Sequence, residues 1–175
     1  PLVVIGGDAA GMSAASKTKR DDPDREVIVF EKGEWVSYGA CGLPYYVKGD
    51  IESLEDLVSV PAESFVEERG IDLRTNHEVT SIDTDARTVT VAGPDGEFAQ
   101  SYGDLLVATG ARAVEPPFEG MDLDGVFTLH DMEMAASVRR ALGLDAPGSR
   151  QEGAGPSGDA SADGAPESVA IVGGG

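Results

Sequence analysis

The chain has 175 residues, a length that predicts one ordinary hydrophobic core and is too short for a complete enzyme that binds two dinucleotides. Its 32 acidic and 13 basic residues give a formal net charge of -19, which repels nucleic-acid phosphates and anionic membrane surfaces and excludes both as partners. Only four of the cations are lysines and the acids are spread along the chain, so we expect a halophilic source. Because no apolar run approaches the ~20 residues of a membrane span and no leader is present, we also expect a cytoplasmic location.

The opening residues have the pattern of a strand, a glycine turn, a helix and a second strand. The apolar run Leu2–Ile5 ends in Gly6 and Gly7, and the small residues that follow suit a tightly packed helix. Val27–Phe30 is apolar throughout, which favours a parallel strand buried on both faces over an alternating surface strand. A βαβ unit is therefore predicted.

The middle of the chain predicts a short helix followed by antiparallel strands. Residues 61–69 have a helical pattern that Gly70 is expected to end. Runs rich in Val, Ile and Thr between residues 71 and 102, with a turn at 94–96, predict an antiparallel hairpin or a three-stranded meander. The apolar run 105–108 then predicts a return to the buried sheet.

The last part of the chain predicts one more helix and the start of a second fold. Asp131 is the expected N-cap of a helix that runs through Leu142. Residues 143–166 offer almost nothing to bury and cannot offset the entropy of ordering, which predicts a flexible linker or a surface insertion. Residues 169–175 repeat the pattern of residues 2–7, in which an apolar run is followed directly by glycines.

The glycine turn is the candidate binding element for a dinucleotide. Such a turn lets the backbone approach a pyrophosphate, and the following helix N-terminus supplies N–H donors and a partial positive charge. Gly6, Gly7 and Gly11 fit this geometry, although Asp8 replaces the middle glycine of the usual G-x-G-x-x-G pattern. Glu31 lies 20 residues after Gly11, at the end of the second strand, where a carboxylate can accept hydrogen bonds from ribose hydroxyls. The alternative is a purely structural turn and a solvated strand end.

Cys41 is the one cysteine of the sequence and cannot form an internal disulfide. It lies between Gly39 and Gly42, and neighbouring glycines expose a thiol and permit the close approach of a planar ring or a substrate. If a helix begins around Cys41, the helix dipole favours the nucleophilic thiolate. The alternative is a small buried hydrophobe, the commonest role of a free cysteine. We interpret Cys41 as a redox nucleophile.

Three blocks, residues 6–15, 37–46 and 105–111, resemble the single-cysteine branch of the FAD-dependent pyridine nucleotide-disulfide oxidoreductases, which contains coenzyme A-disulfide reductases and NADH oxidases. The resemblance spans residues 2–142 and resumes at residue 168. It implies an α/β fold, in which a Rossmann-like FAD-binding domain combines a parallel sheet with an antiparallel β-meander.

The resemblance also implies a domain organisation. Residues 1–142 correspond to the FAD-binding domain with its redox cysteine, and 143–166 to a linker or insertion. Residues 167–175 correspond to the first strand and glycine turn of a truncated Rossmann domain for NAD(P). Relatives usually pass from one domain to the other within a few residues, so the long linker departs from the family pattern.

Site residues follow from the same resemblance. The implied cofactor-binding residues are Gly6, Gly7, Ala9, Ala10, Gly11, Glu31, Lys32, Val79, Ala108, Thr109 and Gly110. The positions that match coenzyme A contacts in the reductases are Ser13, Lys17, Arg20 and Ser37. An equally strong interpretation is that Lys17, Lys19 and Arg20 only complement the C-terminal dipole of the first helix.

In the family, the enzyme thiol forms a mixed disulfide with coenzyme A and exchanges electrons with the flavin, and Cys41 matches this catalytic residue. The resemblance implies a homodimer in which electrons pass from NAD(P)H through FAD to Cys41 and on to the disulfide. Ala9 stands where the peroxidases and water-forming oxidases of the branch carry a histidine, which favours a disulfide over peroxide or oxygen. Ala40 departs from the Asn that often precedes the cysteine in the reductases, which leaves the substrate open.

The leading hypothesis is therefore an FAD-dependent NAD(P)H:disulfide oxidoreductase of the coenzyme A-disulfide reductase type, acting on coenzyme A disulfide or a similar small disulfide or persulfide. An NADH oxidase shares almost all the motifs and is the alternative enzyme. A non-catalytic flavin-binding redox sensor is the alternative of another class. No metal site is predicted, because His77 and His130 have no partners at a metal-ligand spacing.

Overall fold

The computed structural model describes residues 1–115, 117–144, 166 and 168–172. In chain order its strands and helices are β1 Leu2–Ile5, α1 Ala9–Asp21, β2 Val27–Phe30, α2 Leu43–Lys48, β3 Asp72–Arg74, β4 Glu78–Asp83, β5 Thr88–Gly93, β6 Gly96–Ser101, β7 Asp104–Val107 and α3 Met132–Ala141. They belong to two compact units. Unit 1 contains residues 1–39 and 55–112, and unit 2 contains residues 40–54 and the described residues from 113 onward. The predicted domain boundary at residue 142 stays a prediction.

Unit 1 is built on a four-stranded parallel sheet with the strand order β3-β2-β1-β7. The predicted βαβ unit is confirmed, since α1 connects two neighbouring parallel strands. The return of the chain at residues 105–108 is confirmed as β7, which pairs with β1 on the side away from β2.

Each face of the parallel sheet carries its own apolar layer, because alternate side chains of a strand point to opposite faces. On one face, Val4, Val27 and Val29 pack with residues from α1 and with Phe65 of the short π-helix Ser64–Glu68. The helix predicted at residues 61–69 is thus one turn of π-helix, followed by Gly70 with a φ of 62°.

The opposite face of the parallel sheet is covered by a three-stranded antiparallel meander with the order β4-β5-β6. Val89 and Val91 of its central strand are fully buried against the side chains of β1 and β2. The predicted range 71–102 was too wide, since Asp72–Arg74 pairs in parallel with β2 and belongs to the other sheet. The predicted combination of a parallel sheet and a meander is confirmed.

Unit 2 contains the helices α2 and α3. The side chain of Asp131 accepts a hydrogen bond from the backbone N–H of Met134 at 2.9 Å, which confirms it as the N-cap of α3. Helix α3 ends at Ala141, and Leu142 follows as the half-buried C-cap. No helix within the described ranges has both the length and the apolarity to cross a membrane.

The predicted second fold is described only at residues 168–172, which form neither helix nor strand. A strand obtains its hydrogen bonds from a neighbouring strand, so the assignment of 169–172 as a strand of another domain stays a prediction. The three glycines at 173–175, and most of the predicted linker at 143–166, lie outside the described residues.

Candidate functional site

The glycine turn between β1 and α1 is a place of close backbone contact. Gly6 has a φ of 108°, and a Cβ at that residue would overlap the carbonyl oxygen of Ala108. A Cβ at Gly11 would overlap the carbonyl oxygen of Gly6, and one at Gly7 would lie 2.9 Å from the Cβ of Glu31. These glycines therefore allow the turn, the start of α1 and the end of β7 to approach closely. Their role in binding a pyrophosphate stays a prediction.

Glu31 closes this turn from the end of β2. Its Oε2 accepts a hydrogen bond from Gly7 N at 2.7 Å, and its Oε1 accepts one from Gly33 N at 2.8 Å. Glu31 is half-buried, so it is not the solvated strand end of the alternative interpretation. Each carboxylate oxygen has a second lone pair, which leaves acceptor capacity for the ribose hydroxyls of a dinucleotide.

Asp8 is the N-cap residue of α1 by position, but its side chain makes no capping hydrogen bond. Its Oδ1 instead accepts a hydrogen bond from Tyr38 N at 3.2 Å, and beside it Ser37 N donates to Gly7 O at 3.1 Å. The first turn of α1 contains no acidic residue. The N–H groups of a first helical turn have no intrahelical acceptors, so this turn retains donors for an anionic ligand.

The remaining predicted cofactor residues lie at three places in unit 1. Ala9 and Ala10 are exposed on the first turn of α1, and Ala108, Thr109 and Gly110 follow β7, where Ala108 N donates to Ile5 O at 2.8 Å. Val79 on β4 is half-buried against the apolar layer of the meander, and Lys32 is exposed next to Glu31. Gly6, Gly7, Gly11, Glu31 and Ala108 are the predicted residues that the structure brings into mutual contact.

The predicted substrate residues Ser13, Lys17 and Arg20 share one exposed face of α1, as their spacing requires. Lys17 forms an exposed ion pair with Asp21, one turn further along. Ser37 has a φ of 51° and is tied to the glycine turn through its backbone N–H.

Lys19 has a different role from its neighbours. Its Nζ donates to the carbonyl oxygens of Pro23 at 2.5 Å and Arg25 at 3.1 Å. Lys19 thus holds the chain just beyond α1, which supports the structural interpretation for that residue.

Cys41 lies in unit 2, at the centre of the short 3-10 helix Ala40–Gly42, which runs directly into α2. Helix α2 therefore begins two residues after the cysteine, with Pro44 in its first turn. The thiol is exposed, which is the opposite of the buried hydrophobe that was the alternative. Of the two tyrosines that follow in α2, Tyr45 is 57% exposed and Tyr46 is buried.

The C-terminal end of α2 is held by backbone and side-chain bonds. Gly49 adopts a left-handed φ of 95°, and its N–H donates to the carbonyl oxygens of Tyr45 and Tyr46. Lys48 Nζ donates to Asp50 Oδ2 at 2.7 Å, and this hydrogen bond raises the pKa of Lys48. A cation near a helix C-terminus is favourable, so the charge at Lys48 suits its position.

Two structural features near the candidate site residues were not found from the sequence. The first is the hydrogen bond between Asp8 and Tyr38. A carboxylate in a glycine fingerprint is unusual and marked Asp8 as a departure, but the sequence did not indicate that Tyr38 would be its partner. The second is Arg139 on α3, which contacts the end of α2 and carries no motif that marks it. The described residues contain no group of three or more His, Cys, Asp or Glu side chains that could hold a metal ion.

The fold and the glycine turn define a dinucleotide-binding α/β protein, and comparison with known proteins identifies its family. Residues 1–175 match the profile of the pyridine nucleotide-disulphide oxidoreductase family. The chain therefore belongs to this family, whose enzymes depend on FAD and take electrons from NAD(P)H. The resemblance inferred from the three sequence blocks is confirmed.

Individual relatives share much of this chain. It is 47% identical over 141 residues to an NAD(P)H sulfur oxidoreductase (CoA-dependent) of Pyrococcus abyssi, covering 81% of this chain and 31% of the relative. It is 36% identical over 141 residues to an NADH oxidase of Methanocaldococcus jannaschii, covering 80% and 32%. The solved structure of a NAD-dependent persulfide reductase from A. fulgidus matches with a TM-score of 0.76 and 39% identity, over 82% of this chain and 28% of that one. The chain thus spans less than a third of the length of these relatives.

The residues of unit 1 fit the dinucleotide portion of FAD. Cβ atoms at Gly6, Gly7 or Gly11 would fill the space at the glycine turn. Helix α1, which follows the turn, presents N–H donors and no acidic side chain in its first turn. Glu31 is fixed by two backbone donors with its remaining lone pairs available. FAD bound here would supply two-electron transfer between a nicotinamide and a thiol.

Proposed function

We propose that this chain is the flavin-binding and thiol-bearing part of a homodimeric NAD(P)H:disulfide oxidoreductase of the coenzyme A-disulfide reductase type. The proposed electron path runs from NAD(P)H through FAD to Cys41 and then to coenzyme A disulfide or a similar small disulfide or persulfide. The observation that carries the proposal is the exposure of Cys41, the one thiol of the sequence, in a chain that also has the Gly7–Glu31 turn.

The role of the thiol follows from the chemistry of exchange. The Cys41 thiolate attacks one sulfur of a substrate RSSR, so that a Cys41–S–S–R bond forms and the other half leaves as a thiolate. Bound FAD would supply the two electrons that reduce this mixed disulfide, and Cys41 then returns to the thiolate as the second half leaves. With protons taken up by the leaving thiolates, the balance is RSSR + NAD(P)H + H⁺ → 2 RSH + NAD(P)⁺.

A single cysteine suits this cycle. Enzymes with two cysteines resolve the mixed disulfide internally, whereas residues 1–175 contain only one, Cys41. In the proposed cycle the substrate therefore supplies the second sulfur. The exposed position of Cys41 makes the thiol accessible to a substrate disulfide. Thiolate attack requires access as well as ionisation, which a buried cysteine lacks.

Substrate preference for coenzyme A rests on the cations of α1. Lys17 and Arg20 are exposed on the same helix face as Ser13, where they can meet the phosphates of a nucleotide-containing substrate. The chain as a whole is strongly acidic, so a phosphate-containing substrate needs local cations. Of the two on this face, Lys17 is ion-paired with Asp21 and would exchange that partner for a phosphate. The sulfur oxidoreductase of Pyrococcus abyssi, named CoA-dependent, supports the same assignment.

The test uses the full-length protein in high salt, without oxygen, and follows NAD(P)H oxidation when coenzyme A disulfide is added. We expect disulfide-dependent turnover in the parent and its loss in Cys41→Ser, with FAD content unchanged. A second substrate without phosphates, 2-hydroxyethyl disulfide, tests the coenzyme A assignment: Lys17→Ala is expected to raise KM only for coenzyme A disulfide. Turnover that survives Cys41→Ser would remove the thiol from the mechanism.

NADH oxidase is the second candidate, because the Methanocaldococcus jannaschii relative carries that name. In that reaction NADH reduces oxygen, and no substrate disulfide is needed. Oxygen consumption that persists in Cys41→Ser, together with no response to added disulfides under anaerobic conditions, would favour the oxidase. Absence of turnover with either acceptor in the flavin-loaded parent would favour a redox sensor.

A further inference from the structure

We propose that Arg139 is a positioning residue that fixes the orientation of the helical segment carrying Cys41. The inference rests on the proposed function, in which Cys41 is the nucleophile. The contacts that carry the inference, with Tyr46, Ile51 and Glu52, lie within unit 2. They join the last turn of α3 to the C-terminal end of α2, across 93 residues of sequence.

The guanidinium of Arg139 meets a cluster of backbone acceptors. Its Nη1 lies 3.0 Å from Tyr46 O, 3.0 Å from Ile51 O and 3.3 Å from Glu52 O. Carbonyl groups at the end of a helix have no intrahelical donors, and a cation there also complements the negative end of the dipole. Arg139 therefore holds both the last turn of α2 and the loop that leaves it.

The ring of Tyr46 provides a second contact. The central carbon of the Arg139 guanidinium lies 4.5 Å from the centroid of that ring, which is within cation–π range. Tyr46 is buried, so the stacked pair is partly removed from water. A planar guanidinium can stack on the ring and donate to carbonyls at its edge at the same time, which an ammonium group cannot do.

The contact at one end of the segment controls the other end because the segment is continuous. Residues 40–48 form a 3-10 turn and then α2 without interruption, and Cys41 is in the first of these. Leu43 and Tyr46 are the buried residues of α2. The segment could rotate about this buried side, and the hydrogen bonds from Arg139 to Tyr46, Ile51 and Glu52 oppose that rotation. Since the thiol lies five residues before Tyr46, its direction depends on the rotation of the segment.

Helix α3 is a firm support for this contact. Met132 and Ala135 are fully buried, and the helix is capped by Asp131 through a side-chain hydrogen bond. Arg140, the next residue, is exposed and has the same charge. It is therefore a matched control for the loss of one cation from the same helix turn.

The experiment compares Arg139→Met, Arg139→Lys and Arg140→Met in the full-length, flavin-loaded protein. For Arg139→Met we expect kcat with the disulfide to fall on the order of tenfold, since small misplacements of a reacting atom have effects of this size, and KM for NAD(P)H to stay the same. Arg139→Lys is expected to recover part of kcat, and Arg140→Met to match the parent. Amide hydrogen exchange at Gly49 and Asp50 should accelerate in the order Arg140→Met, Arg139→Lys, Arg139→Met.

Parental kcat and parental exchange in a folded Arg139→Met protein would overturn the inference. A rise in KM for NAD(P)H as large as the fall in kcat would also overturn it, because that result indicates general damage to the protein. If Arg139→Met does not fold, Arg139→Lys is the deciding variant. Its kcat must then lie below that of Arg140→Met, and an equal kcat would overturn the inference. Failure of the proposed function has a separate signature, because disulfide turnover then survives Cys41→Ser while hydrogen exchange at Gly49 still reports on Arg139.

Discussion

The carboxylate of Asp8 accepts a hydrogen bond from the backbone N–H of Tyr38, with 3.2 Å between Asp8 Oδ1 and Tyr38 N. The two residues are 30 positions apart, and Ser37 N donates to Gly7 O beside them. The carboxylate within the glycine fingerprint is thus hydrogen-bonded to the loop that precedes Cys41 in the chain. The departure from the usual motif has a structural role in this chain.

Substitution of Asp8 separates the charge from the hydrogen bond. Asp8→Asn keeps an acceptor oxygen, so we expect stability close to the parent and tighter FAD binding, because one negative charge near the anion-binding turn is removed. Asp8→Ala also loses the bond to Tyr38, and we expect the free energy of unfolding to fall by about 1–3 kcal/mol. Urea denaturation and FAD fluorescence titration measure the two effects.

Glu97→Gln is the control for Asp8→Asn, because it removes one charge from an exposed position on β6. Equal gains in FAD affinity for both variants would show that net charge alone is responsible. In that case the position of Asp8 beside the turn has no special effect.

Glu31→Gln tests the double acceptor at the end of β2. The carboxylate accepts from Gly7 N and Gly33 N, and an amide replaces one acceptor oxygen with a donor that faces an N–H group. We expect the free energy of unfolding to fall by about 1–3 kcal/mol and FAD affinity to fall as well. Glu34→Gln, at an exposed position three residues away, should change neither quantity. Parental stability of Glu31→Gln would mean that the turn does not depend on these bonds.

Gly11→Ala tests the close approach of α1 to the glycine turn. A Cβ at residue 11 would overlap Gly6 O, and backbone atoms cannot move aside as a flexible side chain can. Overpacking typically costs about 1–3 kcal/mol, so we expect a loss at the upper end of that range and a weaker FAD complex. Gly39→Ala is the matched control, since its Cβ would lie 3.7 Å from Leu57 O, an ordinary contact. Thermal denaturation of both variants distinguishes a local clash from a general intolerance of alanine.

The charge of -19 predicts that stability depends on salt. Self-repulsion of a highly charged chain opposes folding, and the Debye length falls from about 10 Å at 0.1 M to about 3 Å at 1 M salt. We expect the melting temperature to rise steeply between 0.1 and 1 M KCl. Sucrose at matched osmolarity is the control, because it is excluded from the surface without screening charge. Equal stabilisation by sucrose would argue against repulsion as the cause.

Local sequence patterns predicted the parts of the structure that depend on neighbouring residues. The strand, glycine turn and helix of residues 2–21 are encoded by apolar runs and small residues, and Asp131 caps α3 through a residue three positions away. The position of Glu31 was predictable because the end of β2 is fixed by its apolar run. Its two backbone donors follow from that position.

Contacts between distant residues were less predictable. Residues 71–74 alternate between apolar and polar, as a surface antiparallel strand does, but pairing with β2, some 44 residues earlier, places Asp72–Arg74 in the parallel sheet. Arg139 and Tyr46 are separated by 93 residues, and nothing in either local pattern indicates the other. The α-helix that the sequence placed around Cys41 begins at Leu43, because a 3-10 turn containing Cys41 and Gly42 precedes it.

The separation of Arg139 from Tyr46 also has a consequence for biosynthesis. At about 5–20 residues per second, a ribosome needs roughly 5–20 s to add the 93 residues that separate the two partners. During that interval the nascent segment with Cys41 has been made but its support on α3 has not. In the proposed arrangement, the orientation of the Cys41 thiol is therefore set only after residue 139 has been added, so this part of the protein completes its folding late in synthesis.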